Sequence, residues 1–349
     1  MTIRADETKM HREALQAPSV VERLLRENAG EVQSLATFLR RNPPPFTLTV
    51  ARGSSDHAAL YGKYLFESLL GIVCSSAIPS VTTVYGANLS LNKALVVAVS
   101  QSGESPDLIE VTRQARRGGA LTVAFVNKER SPLAQAAEVV FPLWAETEEA
   151  VAATKSYLAT LAGLAQLVAH WSEDKGLKDA LTLLPEGLYN AASADWGLGL
   201  DPLVEADSSL VVGRGYAFAV AQEMALKFKE TSALHAEAMS GAELLHGPVA
   251  LVDEGFPLLV LVPRDRPLPQ MLELLGTLRT KGGHLLVASS EASALELAHT
   301  PLPLPAKVHP VLDSVLLAQA FYPFAAQLSV ARGFNPDAPR NLSKVTRTR

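Results

Sequence analysis

The strongest constraint on the fold is a change of pattern between residues 94 and 119. Ala94-Leu-Val-Val-Ala-Val99 is an unbroken apolar run rich in β-branched residues, which reads as a strand buried on both faces. Ser100-Gln101-Ser102-Gly103-Glu104-Ser105 follows it directly. Leu108, Ile109, Val111, Thr112 and Ala115 then recur at helical spacing. Ser105 can cap that helix, Pro106 suits its first position and Asp107 complements its positive end. Gly118-Gly119 stops it.

The hydroxyls therefore lie in a strand-to-helix turn, where backbone N–H groups and the helix N-terminus converge. Such a turn binds anions, phosphate above all. Ser100, Ser102 and Ser105 add hydroxyl donors, Gln101 adds an amide, and Gly103 lets the backbone approach a ligand closely. G-x-x-x-x-G-K-[ST] is absent and the loop has no lysine, so it is not a nucleotide P-loop. The turn fits a small phosphorylated ligand held by neutral donors; a polar turn with a good cap has the same composition.

The same pattern recurs along the chain. Residues 1–40 are predicted helical and Pro43-Pro44-Pro45 ends them. Strands are expected at 46–51, 71–78, 94–99, 121–126 and 139–143, with helices at 58–70 and 105–118 and a short one near 85–91. Arg52-Gly53-Ser54-Ser55 makes a second hydroxyl-bearing turn. Short apolar strands alternating with helices imply a parallel sheet covered on both faces, with ligands beyond the carboxyl ends of the strands. A long helix runs to about Trp171, and the pattern restarts at Leu210. Gly213-Arg214-Gly215 is the matching turn, followed by a helix over 216–233, strands at 256–262 and 283–288, a helix at 268–281, and a last helix from Val311 to about Arg332. The two halves read as copies of one domain. Where the first has its serine loop, the second has Pro263-Arg-Asp-Arg-Pro267, which predicts one phosphate site per chain.

Titratable groups are densest in the second half. Lys227, Lys229, Glu230 and, further on, His235 and Glu237 are expected on one helix, with Lys227 and Glu230 on one face. His246 lies in the turn Gly241-Ala-Glu243-Leu-Leu-His246-Gly-Pro248. A carboxylate, a histidine and a lysine around a phosphosugar can open its ring and shift a proton beside a carbonyl; a solvated helix face has the same spacing. The tail, Asn335-Pro-Asp-Ala-Pro-Arg-Asn-Leu-Ser343-Lys344, is polar and proline-punctuated, which fits either a disordered end or a stiff extended segment.

Bulk properties narrow the class. With 48% hydrophobic and 19% charged residues over 349 positions, the chain is globular and long enough for two domains. A net charge of −5 gives no electrostatic reason for nucleic acid or an acidic membrane. The single cysteine, Cys74, sits in an apolar run and reads as a buried hydrophobe in a reducing compartment. The polar N-terminus is no signal peptide, and no apolar run reaches the ~18 residues of a membrane helix. A soluble, cytoplasmic protein is expected.

Taken together, Gly53-Ser54-Ser55, Ser100-Gln-Ser-Gly-Glu-Ser105, Val151-Ala-Ala-Thr-Lys155, Lys227-Phe-Lys-Glu230, His235-Ala-Glu237, Gly241-Ala-Glu-Leu-Leu-His246-Gly-Pro248 and Pro339-Arg-Asn-Leu-Ser-Lys344 resemble the double sugar-isomerase (SIS) domain family, above all the isomerase half of glutamine–fructose-6-phosphate aminotransferases. The resemblance runs from about residue 30 to the C-terminus. It implies an α/β fold of two tandem flavodoxin-like α-β-α SIS domains with parallel sheets: a helical segment at 1–34, domains at 35–180 and 201–334, and an active-site tail at 335–349.

It also implies roles. Gly53, Ser54, Ser55, Ser100, Gln101, Ser102 and Ser105 would bind the sugar phosphate and hydroxyls, and Val151 and Ser343 would touch the sugar through backbone. Glu230 would move a proton between C1 and C2. His246 would open the ring, supplied by the neighbouring subunit of a homodimer. Lys344 would sit at the C1/C2 oxygen or nitrogen, as a candidate imine-forming amine, with Lys227 assisting. The tail becomes a lid. Two departures bear on the reaction: the glutamine-hydrolysing domain is missing, and the family's Cys-Gly-Thr-Ser turn is here Arg52-Gly53-Ser54-Ser55. A stand-alone double SIS chain is similar to glucosamine-6-phosphate deaminases and fructosamine-phosphate deglycases of this type, so amine release is the expected direction, without metal or organic cofactor. The alternatives are an aldose–ketose phosphosugar isomerase, and a non-catalytic sugar-phosphate sensor.

Overall fold

The computed structural model describes residues 3–344. The chain divides into two compact units, each built on a five-stranded parallel sheet. The first-sheet unit comprises Ser19–Glu148, Lys155–Thr182 and, at the described end of the chain, Ser343 and Lys344. The second-sheet unit comprises the chain up to Pro18, Glu149–Thr154 and Leu183–Leu342.

Helices α1 (Lys9–Glu27) and α2 (Ala29–Arg41) lead into β1 (Thr47–Val50), α3 (Ser54–Leu70), β2 (Cys74–Ser76), α4 (Pro79–Thr83), β3 (Leu95–Ser100), α5 (Pro106–Arg117), β4 (Leu121–Val126), α6 (Pro132–Ala136) and β5 (Val139–Pro142). Helices α7 (Lys155–Trp171) and α8 (Lys175–Ala192) follow. The second unit repeats the alternation: α9 (Asp201–Val204), β6 (Ser208–Gly213), α10 (Tyr216–Ser232), β7 (His235–Ser240), α11 (Gly241–Leu244), β8 (Pro257–Val262), α12 (Leu268–Thr280), β9 (His284–Ser289), α13 (Ala292–Leu295), β10 (Thr300–Pro303) and α14 (Pro310–Ala331).

The first sheet has the order β2-β1-β3-β4-β5. The second, β10-β9-β8-β6-β7, has the same order when counted from its own first strand. The repeat extends to backbone detail. Gly53 before α3 has φ 53°, ψ −134°, and Gly215 before α10 has φ 60°, ψ −134°. That conformation excludes a β-carbon, so each turn needs its glycine. Central strands β1, β3 and β8 are buried at every position, as their apolar runs require, whereas edge strands β2 and β7 are partly exposed.

Helix α5 begins as its sequence predicts, with Ser105 in extended conformation and Pro106 first. Several features differ from expectation. His235 and Glu237 lie on β7, not on the helix of Lys227: Ala233, at φ 49°, ends α10 in left-handed conformation. The short helix before β3 is Pro79–Thr83, started by Pro79 rather than by the residues near 85. Strand β10 is hidden in the sequence by its two prolines, which an edge strand tolerates. Finally, α14 contains an 18-residue window with mean hydropathy 1.3, long and apolar enough to span a membrane. That window is 83% buried, and a helix apolar all round is what a core position demands.

Candidate active site

In the order 2-1-3-4-5 the strand direction of travel reverses between β1 and β3, and the crevice beyond their carboxyl ends is where such sheets hold ligands. Both hydroxyl-bearing turns lie there: Gly53, Ser54 and Ser55 after β1, and Ser100 to Ser105 after β3. Arg52 ties them. Its Nε and Nη2 donate to Asp107 Oδ2 at 3.0 and 2.9 Å, and the Asp107 side chain is 1% exposed. Asp107, read in the sequence as a helix-end acid, is also the partner that Arg52 requires.

The serine loop is held by its own atoms. The Gly103 N–H donates to Ser100 Oγ at 3.0 Å and the Glu104 N–H to Ser102 Oγ at 3.3 Å. Gly103 has φ +65°, and a β-carbon there would lie 2.1 Å from Ser131 Oγ and 2.9 Å from Val126. The loop therefore closes over the start of α6 only with glycine. Gly103 O accepts from Leu133 N at 3.1 Å, and Gln101 O from Asn127 N at 3.3 Å. Ser105 caps α5 by backbone position, without a side-chain cap bond.

In the second sheet the loop after β8 approaches the equivalent turn closely. Asp265 Oδ2 and Pro267 sit 3.1 and 3.3 Å from the β-carbon position of Gly215. Arg264, beside it, is neutralised by Asp313 through Nε and Nη2, both at 2.8 Å. An aspartate facing that turn disfavours an anion there.

The second unit's buried charge cluster lies instead along α10. Glu230 is 14 residues past Tyr216, about 21 Å along the helix at 1.5 Å per residue. Lys227 is buried, 1% exposed, and donates a hydrogen bond to Glu230. It also lies 3.5 Å from Glu223, likewise 1% exposed. Burial by itself lowers the Lys227 pKa, but Glu223 and Glu230 together more than reverse this and hold it above the ordinary lysine value. Glu223 Oε1 accepts from the Tyr322 hydroxyl of α14 at 3.1 Å. Removing one member of a buried charge cluster leaves the others uncompensated, so the arrangement locks Glu230 in place. Sequence reasoning missed Glu223, although its spacing was the signal: Glu223, Lys227 and Glu230 at i, i+4 and i+7 share one helix face. Tyr322 gave no local signal.

Glu230 lines a cleft of about 450 Å³ together with Lys229, Thr231 and the tail residues Phe334, Asn335 and Arg340. The tail is thus ordered through this stretch. Pro336 and Pro339 are buried, and the Arg340 guanidinium sits 5.0 Å over the Phe334 ring. His246 stands apart, exposed in the turn after α11, and its side chain makes no hydrogen bond among the described residues. Val151 lies in the Glu149–Thr154 loop.

In the first-sheet unit, Lys344 Nζ donates to Glu148 Oε2 at 3.0 Å. Glu148 is wholly buried and also accepts from Ser156 N and Oγ at 3.1 and 2.8 Å. Glu148 was not legible in the sequence because its tail partner lies 196 residues away. Ser343, beside Lys344, is exposed. Residues 345–349 of the expected tail lie outside the described residues.

A duplicated α/β domain with a hydroxyl-lined loop at one switch point and a carboxylate–lysine cluster on a helix of the other defines the class. The SIS domain profile matches residues 47–170 and 202–321, and the chain belongs to that family. It is 32% identical to a glutamine–fructose-6-phosphate aminotransferase [isomerizing] of Thermus thermophilus, over 96% of this chain and 58% of that protein. The Aeropyrum pernix protein of the same name is 35% identical over 85% of this chain and 50% of its own length. The chain thus spans 50–58% of the length of these relatives. Among solved structures, a candidate phosphosugar isomerase from Silicibacter pomeroyi DSS-3 superimposes with a TM-score of 0.88 at 41% identity, covering 95% of this chain and 100% of that one. Glucosamine-6-phosphate deaminase from Thermotoga maritima shares the fold, with a TM-score of 0.76 at 21% identity over 98% and 100% of the two chains.

Proposed function

We propose that the protein is a phosphosugar isomerase of the aminosugar-deaminating kind, converting glucosamine 6-phosphate and water to fructose 6-phosphate and ammonia. The observation that carries the reading is Glu230: a carboxylate clamped by a buried lysine, opening into a cleft walled by the ordered tail. The relatives' names supply the sugar class.

The phosphate is taken by the Ser100–Ser105 loop with Ser54 and Ser55, oriented by hydroxyls and backbone N–H groups. His246, contributed by the second subunit of a homodimer, transfers the ring-opening proton. Glu230 removes the C2 proton of the open aldose and returns it at C1. The C2–N bond becomes an imine as the C1 carbonyl becomes an alcohol. Water adds to the imine and ammonia leaves, giving the C2 ketone. Lys344 serves at the C1/C2 heteroatoms, and Lys227 holds the Glu230 carboxylate in position through their hydrogen bond. No metal enters this scheme.

Ammonia release from glucosamine 6-phosphate, with Glu230→Gln in parallel, tests it. Release in the wild type that falls by roughly 10²-fold or more in the variant is expected of a lost general base. Wild-type conversion of a phospho-aldose to a phospho-ketose without ammonia would replace the reaction by simple isomerisation. Tight phosphosugar binding with no turnover would point to a sensor.

A further inference from the structure

The first turns of α1 hold two separate parts of the second-sheet unit. Four amides at a helix N-terminus lack intrahelical partners and must find others. Here the Lys9 and Met10 N–H groups donate to the two oxygens of Asp337, at 2.7 and 2.9 Å. The His11 N–H takes the Thr8 hydroxyl at 3.2 Å, and the Arg12 N–H takes the Thr8 carbonyl at 3.1 Å. A tail carboxylate 328 residues away in sequence therefore completes this cap, at the helix end that most favours an anion.

One turn further on, Glu13 is 6% exposed and accepts from the backbone N–H groups of Glu149 and Ala150. Lys9, four residues earlier on the same face, pairs with the Glu149 side chain at 2.6 Å. The Glu13 contacts grip main chain rather than side chain, so they fix the backbone just before Val151.

We propose that residues 9–13 form a clamp that sets the 149–151 loop and the 335–341 tail against one helix, and that Glu13 and Asp337 are positioning residues for the sugar site. The proposal rests on the reading just given, in which Val151 and the tail border the substrate. It makes α1 a working part of that site rather than a leading segment.

The test compares the wild-type protein with Glu13→Gln, Asp337→Asn and Asp337→Glu. Limited trypsin digestion, followed by mass spectrometry, reads cleavage after Arg340 without any substrate. Cleavage of a transiently opened segment follows its open population, and loss of a charged cap raises that population, so Asp337→Asn is expected to be cut roughly five- to tenfold faster. Asp337→Glu keeps the charge and should restore most of the protection. Steady-state turnover of glucosamine 6-phosphate should show a raised KM in Glu13→Gln with a smaller change in kcat, at a melting temperature near that of the wild type. Wild-type cleavage rates in Asp337→Asn would overturn the clamp, as would an unchanged KM in Glu13→Gln. If the wild type does not turn over this sugar, the proposed reaction fails, while the cleavage comparison still decides the clamp.

Discussion

The Arg52 guanidinium donates through two nitrogens to a single oxygen of Asp107, and this ties the turn after β1 to the first turn of α5. Arg52 is half exposed and Asp107 is buried. Losing the pair leaves a buried carboxylate short of one partner. Arg52→Ala is expected to cost about 1 kcal/mol, discounted for the exposed guanidinium, and Asp107→Ala about 2 kcal/mol. Urea unfolding measures both. Both variants should also weaken phosphosugar binding, because the two turns would no longer be held in register.

Gly103→Ala places a β-carbon 2.1 Å from Ser131 Oγ at a positive φ. A loss of about 2–4 kcal/mol is expected from clash and backbone strain together. Adding Ser131→Gly removes the clash with that side chain but leaves the positive φ and the 2.9 Å approach to Val126, so calorimetry should show partial recovery in the double variant. Full recovery, or none, would contradict the geometry.

The raised pKa of Lys227 has a sign. Its charged form is favoured in the fold, so its contribution is complete below the unfolded lysine value, about 10.4, and is lost as pH rises toward the folded value. Stability should therefore fall on the alkaline side of that value, by up to about 1.4 kcal/mol per pH unit for this group. Lys227→Arg stays charged throughout, so the alkaline slope of its urea unfolding free energy should be shallower than the wild type's.

Burial pushes the Cys74 thiol up to about 11, and the side chain is 2% exposed. The thiolate is the reactive form. At pH 8 a disulfide reagent should label Cys74 only as fast as the protein opens, and in urea at the unfolding midpoint. Rapid labelling of the native protein would refute the buried placement.

Tyr322→Phe removes the hydroxyl that donates to Glu223, a contact wholly within the core. The expected cost is about 1–2 kcal/mol, since Glu223 loses a partner in a buried cluster. In turnover assays the loss should fall on kcat rather than KM, because the cluster touches Glu230 and not the Ser100–Ser105 loop.

Much of this protein is local, and local features were legible. The serine loop, its capping residues and Gly103 sit within one short stretch. The two Gly turns and the strand–helix alternation revealed a repeat that the matching sheet orders reproduce. Lys227 and Glu230 were legible because three residues on a helix place two side chains on one face. His235 and Glu237 were misplaced because nothing in their own composition announces that Ala233 turns left-handed and ends the helix.

The sequence by itself determined the class of most of the main elements, the glycines its turns cannot do without, and the membership in a duplicated α/β family. Periodicity and backbone sterics act over a few residues, and so they can be read from a few residues. The tertiary structure alone decided which charges meet. Tyr322 reaches Glu223, Lys344 reaches Glu148, Asp313 neutralises Arg264, and Asp337 caps α1. Each pairing joins residues tens to hundreds of positions apart. It forms because burying one charged or polar group is costly until another, brought there by the packing of helices and sheet, satisfies it.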